Sequence, residues 1–223
     1  IAGAERLAAD AVSRDPKNAE SWMLQGSLLR SQGKSKEALD AYDKALAIEP
    51  GHRSAHIEKA YIHIAGNELD AARRILAEAP PAQRNDPGLR LRLAQVDFRA
   101  GLYPKVRDEV ERLLRIEAAD TPLFRAQVLL LRAGIDRRLD HRVAAERDYT
   151  EVLALVGPAG DIVLRGDALN GRGMVRSLLG HYDGALEDLG QARILAARTG
   201  APLAVARVDA SLGFLEKVRG RPA

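Results

Sequence analysis

The chain of 223 residues contains no cysteine, and aromatic residues make up only 4% of it. A disulfide scaffold and a thiol nucleophile are therefore excluded, and the core must be built from Ala, Leu, Val and Ile. No uninterrupted apolar run approaches the roughly 18 residues that a membrane span requires, so we expect no membrane insertion by this segment. The net charge of +3 creates no concentrated positive field, so the composition does not indicate nucleic-acid binding.

A repeat runs through the whole sequence. Turn-forming residues recur at spacings of 34, 34, 39, 40 and 40 residues; they are Gly33, Asn67, Gly101, Asp140, Gly180 and Gly220. Seven residues before each turn stands a small residue, namely Gly26, Ala60, Ala94, Ala133, Gly173 and Gly213. Two positions later the residue is apolar in each unit. After the turn come two further columns, Ala38, Ala72, Val106, Ala145 and Ala185, then Ala45, Ala79, Leu113, Val152 and Ala192.

Small residues at helical spacing on both sides of a turn predict two helices whose backbones approach closely. The repeated unit is therefore a helical hairpin. We expect helices near residues 3–14, 19–32, 35–48, 53–66, 69–79, 87–100, 103–117, 122–139, 142–156, 161–179, 182–199 and 201–219. Asp86-Pro87 and Thr121-Pro122 are typical helix starts, and Gly200 is a typical helix stop. The predicted fold class is all-α, with about 12 helices.

The unit from Trp22 to Pro50 resembles the tetratricopeptide repeat. The matching positions are Trp22, Gly26, Gly33, Ala38, Tyr42, Ala45 and Pro50, while Gln25 and Leu29 replace the usual Leu and Tyr. Upstream, Ala4, Ala8, Ala11 and Pro16 fit the second helix of a preceding unit. The later units are similar to the longer subclass found in bacterial signalling regulators and polarity adaptors, although Arg172 occupies a usually apolar column.

This resemblance implies a right-handed α-solenoid of stacked antiparallel helix-turn-helix repeats. We expect one domain over residues 1–223. Its parts are a truncated repeat at 1–18, repeats at 19–52, 53–86, 87–125, 126–165 and 166–205, and a half-repeat at 206–223. Because the sequence starts with Ile1 inside a unit, we expect a piece of a larger bacterial protein.

The resemblance also implies that the first helix of each hairpin lines a concave groove that binds a protein or peptide. The residues predicted to line this groove are Met23, Ser27, Arg30, Ile57, Tyr61, Ile64, Leu91, Gln95, Phe98, Leu130, Arg137, Asn170, Met174, Ser177, Phe214 and Lys217. The early units offer an apolar wall and the later units a polar one, which suits a segment with apolar anchors and acidic or polar groups toward Arg137, Arg138 and Lys217. The alternative interpretation is that Ile57, Leu91 and Leu130 only pack against adjacent helices.

The known tetratricopeptide clamp for a C-terminal carboxylate needs Lys and Asn where this chain has Met23 and Ser27. We therefore do not expect a chaperone-tail adaptor. His52, His56 and His63 could share a helical face, but we interpret them as packing residues rather than metal ligands. The stretch from Gly166 to Gly173 lacks the features of a phosphate loop, so no cofactor is expected.

We expect the charged residues to lie on the helix surfaces. The carboxylate pairs Asp40/Asp43 and Glu187/Asp188 are expected on outward faces. Arginines cluster in the fourth repeat, at Arg125, Arg132, Arg137, Arg138, Arg142 and Arg147. Acidic residues lie between them, namely Asp136, Asp140, Glu146 and Asp148, so surface ion pairs are the expected use.

The sequence thus predicts a non-catalytic scaffold, not an enzyme, that binds a peptide or protein partner. The alternative function is a ligand-sensing or exopolysaccharide-handling module of a regulator or envelope protein, for which exposed aromatic platforms would be the distinguishing feature. Self-association through exposed solenoid ends is a third prediction. The compartment is undetermined: the cytoplasm by default, or the periplasm if the whole protein carries an export signal.

Overall fold

A computed structural model describes residues 2–83, 85–116 and 121–220, and over these residues it contains helices and turns but no strand. The helices are α1 Ala2–Arg14, α2 Ala19–Ser31, α3 Ser35–Ile48, α4 Arg53–Ala65, α5 Leu69–Glu78, α6 Pro87–Arg99, α7 Tyr103–Leu113, α8 Pro122–Arg138, α9 Arg142–Val156, α10 Ile162–Leu179, α11 Tyr182–Arg198 and α12 Pro202–Arg219. A short 3₁₀ helix, Pro81–Gln83, connects α5 to α6. The all-α prediction is confirmed.

One predicted helix is too long. The predicted helix 103–117 ends at Leu113, because the following amides bond to carbonyls three residues back: Arg115 N to Arg112 O at 3.1 Å and Ile116 N to Leu113 O at 3.3 Å. These tighter bonds close the last turn as a 3₁₀ turn. Residue 117 lies outside the described residues. No proline or glycine marks this end, so the residue pattern extended the helix too far.

The chain divides into two compact units, residues 1–106 and 107–223, and α7 begins in the first and ends in the second. In unit 1, α2 packs against α3, and α4 packs against α5 and α6. In unit 2, α8 packs against α9, and α10 packs against both α9 and α11. The predicted repeat boundaries and the single domain stay predictions.

The helices start where the sequence supplies a capping side chain. The carboxylate of Asp86 accepts from Gly88 N at 2.9 Å and Leu89 N at 3.1 Å, and the hydroxyl of Thr121 accepts from Phe124 N at 3.2 Å. Each satisfies amides that have no partner within their own helix. Both predicted starts are confirmed, and the helix stop at Gly200 is confirmed by its left-handed φ of +66°.

The turn column also has the backbone conformation that explains its composition. Gly33, Asn67, Gly101, Asp140 and Gly180 have φ between +60° and +81°. Glycine, and less often Asn or Asp, enters this left-handed region at low cost. The sixth member, Gly220, ends α12 with φ −80° instead.

The small residues before each turn allow the two helices of a hairpin to touch. A Cβ on Gly26 would stand 2.5 Å from the ring of Tyr42, and a Cβ on Gly173 would stand 2.7 Å from Leu189 Cγ. Both columns of residues after the turn are fully buried in each of the five repeats that contain them. The last member, Gly213, is exposed, and among the described residues no atom outside its own helix backbone lies within 4 Å of the position that a Cβ would take. The periodic small residues are therefore the hairpin contact itself.

None of the described helices combines the length and the apolar character needed to cross a bilayer.

Candidate partner-binding face

The sixteen residues predicted to line a groove divide by burial. Four of them, Met23, Ile64, Leu91 and Ser177, are buried, with exposures of 6%, 5%, 1% and 2%. Ser177 turns back on its own helix, where its hydroxyl donates to Gly173 O at 2.8 Å. These four side chains pack within their units and present almost no surface to a partner, which corrects their placement in the groove.

The other twelve predicted residues keep exposed surface. They are Ser27, Arg30, Ile57, Tyr61, Gln95, Phe98, Leu130, Arg137, Asn170, Met174, Phe214 and Lys217. In the column one position after the small residue, Ser27, Tyr61, Gln95, Met174 and Phe214 are partly exposed, whereas the sixth member, Gly134, is buried. In unit 1, the first helices α2, α4 and α6 lie side by side, with α4 contacting the other two. We call their shared partly exposed surface the first-helix face.

At the centre of the first-helix face, two arginines from different helices approach one tyrosine. The guanidinium carbon of Arg30 in α2 lies 5.2 Å from the ring centroid of Tyr61 in α4. The guanidinium carbon of Arg92 in α6 lies 5.1 Å from the same centroid. Both distances fall within the range of cation–π attraction. The predicted apolar wall of the early units therefore contains a cationic centre, which corrects that expectation.

The two guanidinium groups differ in how their charge is balanced. Arg30 Nε lies 2.9 Å from the carboxylate of Glu58, one turn before Tyr61 in α4. Arg92 instead donates from Nη1 to the neutral amide oxygen of Gln95 at 2.9 Å, and no salt bridge to a carboxylate is found for it among the described residues. Burial lowers the pKa of Arg92, while the charge of Glu58 acts in the opposite direction.

Sequence reasoning missed both Arg92 and Glu58. It selected positions three before, one after and four after the small residue, whereas these two lie two positions before Ala94 and Ala60. Positions two before and one after are i, i+3 neighbours, so they share a helix face. The i, i+3 pairs Glu58/Tyr61 and Arg92/Gln95 were the available signal.

Apolar side chains accompany the cationic centre. Ile57 and Phe98 are partly exposed, and the Phe98 ring lies 5.6 Å from that of Tyr103. Ile57 also packs against the first turn of α6, since a Cβ on Gly88 would stand 2.9 Å from Ile57 Cδ1. Ile57 thus contributes to helix packing as well as to the surface.

A pocket of about 430 Å³ on α5 and α6 is lined by Arg73, Leu76, Ala77, Leu89, Arg90 and Leu93.

Unit 2 carries a polar counterpart on its own first helices. Arg137 in α8 acts on the buried phenol of Tyr149, where it opposes the rise in pKa that burial causes. Arg137 Nε and Asn170 Oδ1 are buried atoms with no hydrogen-bond partner among the described residues. Met174 follows Asn170 by one turn and is partly exposed. The guanidinium of Arg137 is a donor and the amide of Asn170 is both a donor and an acceptor, so the polar character predicted for the later repeats is present on these helices.

The histidines have structural partners in this fold. His52 caps α4 by accepting from Ala55 N at 3.3 Å, as expected for a residue at the helix start. His56 Nε2 lies 2.9 Å from Pro50 O, and His63 Nδ1 lies 2.6 Å from Glu68 Oε2. Within the described part of the chain, no three His, Cys, Asp or Glu side chains are grouped closely enough to hold a metal ion.

Two predicted surface carboxylates are buried instead. Asp188 is 2% exposed and Asp148 is 0% exposed, and each pairs with an arginine of the neighbouring first helix. Glu187 is exposed as predicted, and so are Asp40 and Asp43. Surface ion pairs were therefore the wrong interpretation for part of the arginine cluster: Arg132 bonds to Asp148 inside a hairpin.

Comparisons with known proteins agree with the hairpin architecture. Two family models described as tetratricopeptide repeats match the chain, at residues 1–53 and 29–89. No curated protein matches the sequence.

Several solved structures share the fold at low sequence identity. A chain of the APC/C hetero-tetramer Cut9-Hcn1 aligns with a TM-score of 0.76 and 19% identity, covering 98% of this chain and 40% of that one. This chain thus spans less than half of that relative. A tetratricopeptide repeat protein from Parabacteroides merdae aligns with a TM-score of 0.69 and 17% identity, covering 92% and 75%.

PilW, a type IV pilus biogenesis factor, aligns with a TM-score of 0.61 and 18% identity, covering 90% of this chain and 87% of its own. At identities of 17–19%, the similarity to these solved structures supports the fold alone. The family models cover residues 1–89, and the hairpins continue beyond them through α12. Residues 1–89 thus match the tetratricopeptide repeat family in sequence, and the described residues beyond them are similar to tetratricopeptide repeat proteins in fold.

Proposed function

We propose that the chain is a non-catalytic scaffold whose first-helix face in unit 1 binds a segment of a partner protein. Tetratricopeptide arrays act generally as protein-interaction scaffolds, since stacked hairpins leave one row of helices available to a partner. The observation that carries the proposal is the surface of α2, α4 and α6. There Arg30, Tyr61 and Phe98 stay partly exposed beside fully buried repeat columns.

The composition of the face suits protein recognition. Tyrosine and arginine are enriched where protein interfaces hold most of their binding energy, because each offers a large contact area and directional donors. Ile57 and Phe98 add apolar area to the cationic centre. A short extended or helical segment can present side chains at the spacing of successive first helices.

The non-catalytic part of the proposal is supported by how the polar side chains are used. Asp148 and Asp188 are bound to arginines within hairpins, and His56 lies within hydrogen-bond distance of a backbone carbonyl. Groups held in structural ion pairs are not free to take or give protons at a reacting substrate.

The alternative, a sugar-handling module, would require an exposed aromatic platform. The single tryptophan does not provide one, because Lys44 Nζ lies 4.2 Å from the ring centroid of Trp22 and the indole Nε1 donates to Pro16 O at 2.9 Å. The observation weighs against sugar stacking at Trp22, while ligand sensing and self-association stay predictions.

The proposal is tested by selecting a displayed random-peptide library on the immobilised chain. Binding of the enriched peptides is then measured with Tyr61→Ala and Phe98→Ala, and with Asp40→Ala as a control on the exposed side of α3. We expect weaker binding by the first two variants and unchanged binding by the control. Equal binding by all three would refute the first-helix face as the binding surface.

A further inference from the structure

We infer that Arg92, flanked by Tyr61 and Gln95, binds a single carboxylate side chain of the partner segment. This inference rests on the proposed function and names the chemistry of the partner at that face. It concerns an internal Asp or Glu of the partner rather than a chain terminus.

Elsewhere in this chain, three arginines form salt bridges with buried carboxylates. Arg73 pairs with Asp97 at 2.6 Å, Arg107 with Asp136 at 2.9 Å, and Arg172 with Asp188 at 2.6 Å. Arg92 has no carboxylate within salt-bridge distance among the described residues, and its hydrogen bond goes to the neutral Gln95. A desolvated guanidinium without a counter-ion is costly, and a ligand carboxylate would remove that cost.

The charge around Tyr61 selects the kind of anion. Two guanidinium groups, of Arg30 and Arg92, and one carboxylate, of Glu58, leave a net charge of 2 − 1 = +1. One ligand carboxylate neutralises this charge. A phosphate group, which carries close to two negative charges at neutral pH, would exceed it and would be repelled by Glu58. The charge balance therefore favours Asp or Glu over a phosphorylated residue.

The position of the arginine suits a charge-assisted bond. Arg92 is partly exposed, although its Nε is buried. The contacts with the Tyr61 ring and with Gln95 fix the plane of the guanidinium, and a fixed plane favours the bidentate geometry of a carboxylate. Ile57 and Phe98 lie on the same helices, so the matching segment carries an acidic residue with apolar neighbours.

The test uses the same peptide selection on the whole chain. We expect the enriched peptides to share an Asp or Glu next to apolar residues. Changing that residue to Asn or Gln should weaken binding about ten- to hundredfold, the usual loss for a charge-assisted bond. Arg92→Gln should weaken binding of the acidic peptide by a similar factor and leave binding of the amide peptide unchanged. Arg99→Gln, at an exposed position of the same helix, is the control.

The outcomes separate this inference from the function on which it rests. Peptides that depend on Tyr61 but contain no shared acidic residue, or that bind Arg92→Gln equally well, would overturn the carboxylate site alone. Tighter binding of a phosphoserine version of the peptide would overturn the assignment to a carboxylate. Enrichment of no peptide that depends on Tyr61 would overturn the proposed function and this inference together. Circular dichroism melting of Arg92→Gln checks that the variant remains folded.

Discussion

The guanidinium of Arg172 donates two hydrogen bonds to the carboxylate of Asp188, from Nη2 to Oδ1 at 2.6 Å and from Nε to Oδ2 at 2.8 Å. One repeat earlier, Arg132 holds Asp148 in the same way, with distances of 2.6 and 3.1 Å. Each arginine directly precedes the small residue of its first helix, and each aspartate lies 16 positions later in the second helix. The long repeats of unit 2 thus fasten their hairpins with a buried ion pair as well as with small-residue contacts.

Asp188→Asn should lower the free energy of unfolding by about 3 kcal/mol, because it leaves two arginines, Arg172 and Arg176, without their shared carboxylate. Glu187→Gln, at the adjacent exposed position, should change it by less than about 0.5 kcal/mol. Urea denaturation followed by circular dichroism measures both. Equal losses at the two positions would show that burial of Asp188 does not matter for stability.

The adjacent residues Glu187 and Asp188 also show what the sequence could and could not predict. The repeat fixed the positions of the helices, because glycine and alanine recur at a constant distance from each turn. Which neighbour of a column faces solvent depends on a rotation of about 100° per residue, so an error of one position exchanges surface for interior. For this reason the residue pattern predicts Asp188 on an outward face and Met23 in the groove, whereas both side chains are buried.

The cationic centre could not be predicted from the sequence for a different reason. Arg30, Tyr61 and Arg92 belong to three helices in different units of the repeat, and their approach depends on how those helices stack. No local spacing encodes that stacking. Only the i, i+3 relation of Arg92 to Gln95 was visible, and it does not distinguish a binding face from an ordinary solvated surface.

Gly171→Ala should destabilise the protein by about 1–3 kcal/mol, because the new Cβ would stand 2.3 Å from the ring of buried Tyr149 and would overpack the helix pair. Gly190→Ala is the matched control in the interior of α11. Among the described residues, no atom outside its own helix backbone lies within 4 Å of its Cβ position, so Gly190→Ala should gain about 0.5–1 kcal/mol from helix propensity. Thermal melting compares the two, and a gain at both positions would contradict the close contact.

Asn67 has φ +60°, so Asn67→Gly should preserve or raise the free energy of unfolding and Asn67→Ala should lower it by about 1 kcal/mol. Its neighbour Gly66 has φ −75°, and a Cβ there would make only ordinary van der Waals contacts, the shortest being 3.6 Å to Ile62 O. Gly66→Ala should therefore stabilise by about 0.5 kcal/mol. Denaturant titration of the three variants gives the order, and a better result for Ala than for Gly at position 67 would exclude the left-handed turn.

Alkaline pH should destabilise the chain through its buried tyrosines. Burial raises the pKa of Tyr149 above the ordinary value near 10, although Arg137 opposes the shift. The unfolded state then loses its phenolic proton first, so the stabilising contribution is complete below pH 10 and is lost as the pH rises through the folded-state pKa. Tyr149→Phe should lose less stability than the wild type between pH 9 and pH 11, by at most about 1.4 kcal/mol per pH unit. Identical losses in urea titrations would contradict the shift.

Arg92→Met should keep the free energy of unfolding or raise it by about 1 kcal/mol, because it replaces a desolvated charge lacking a counter-ion with an apolar side chain of similar length. Arg132→Met should lower it by about 3 kcal/mol, since it strands the fully buried carboxylate of Asp148. Urea denaturation of both variants under identical conditions makes the comparison. If Arg92→Met were as damaging as Arg132→Met, the arginine would serve the fold. A guanidinium that can be removed without loss of stability, at the centre of a partly exposed face, is instead available to a ligand.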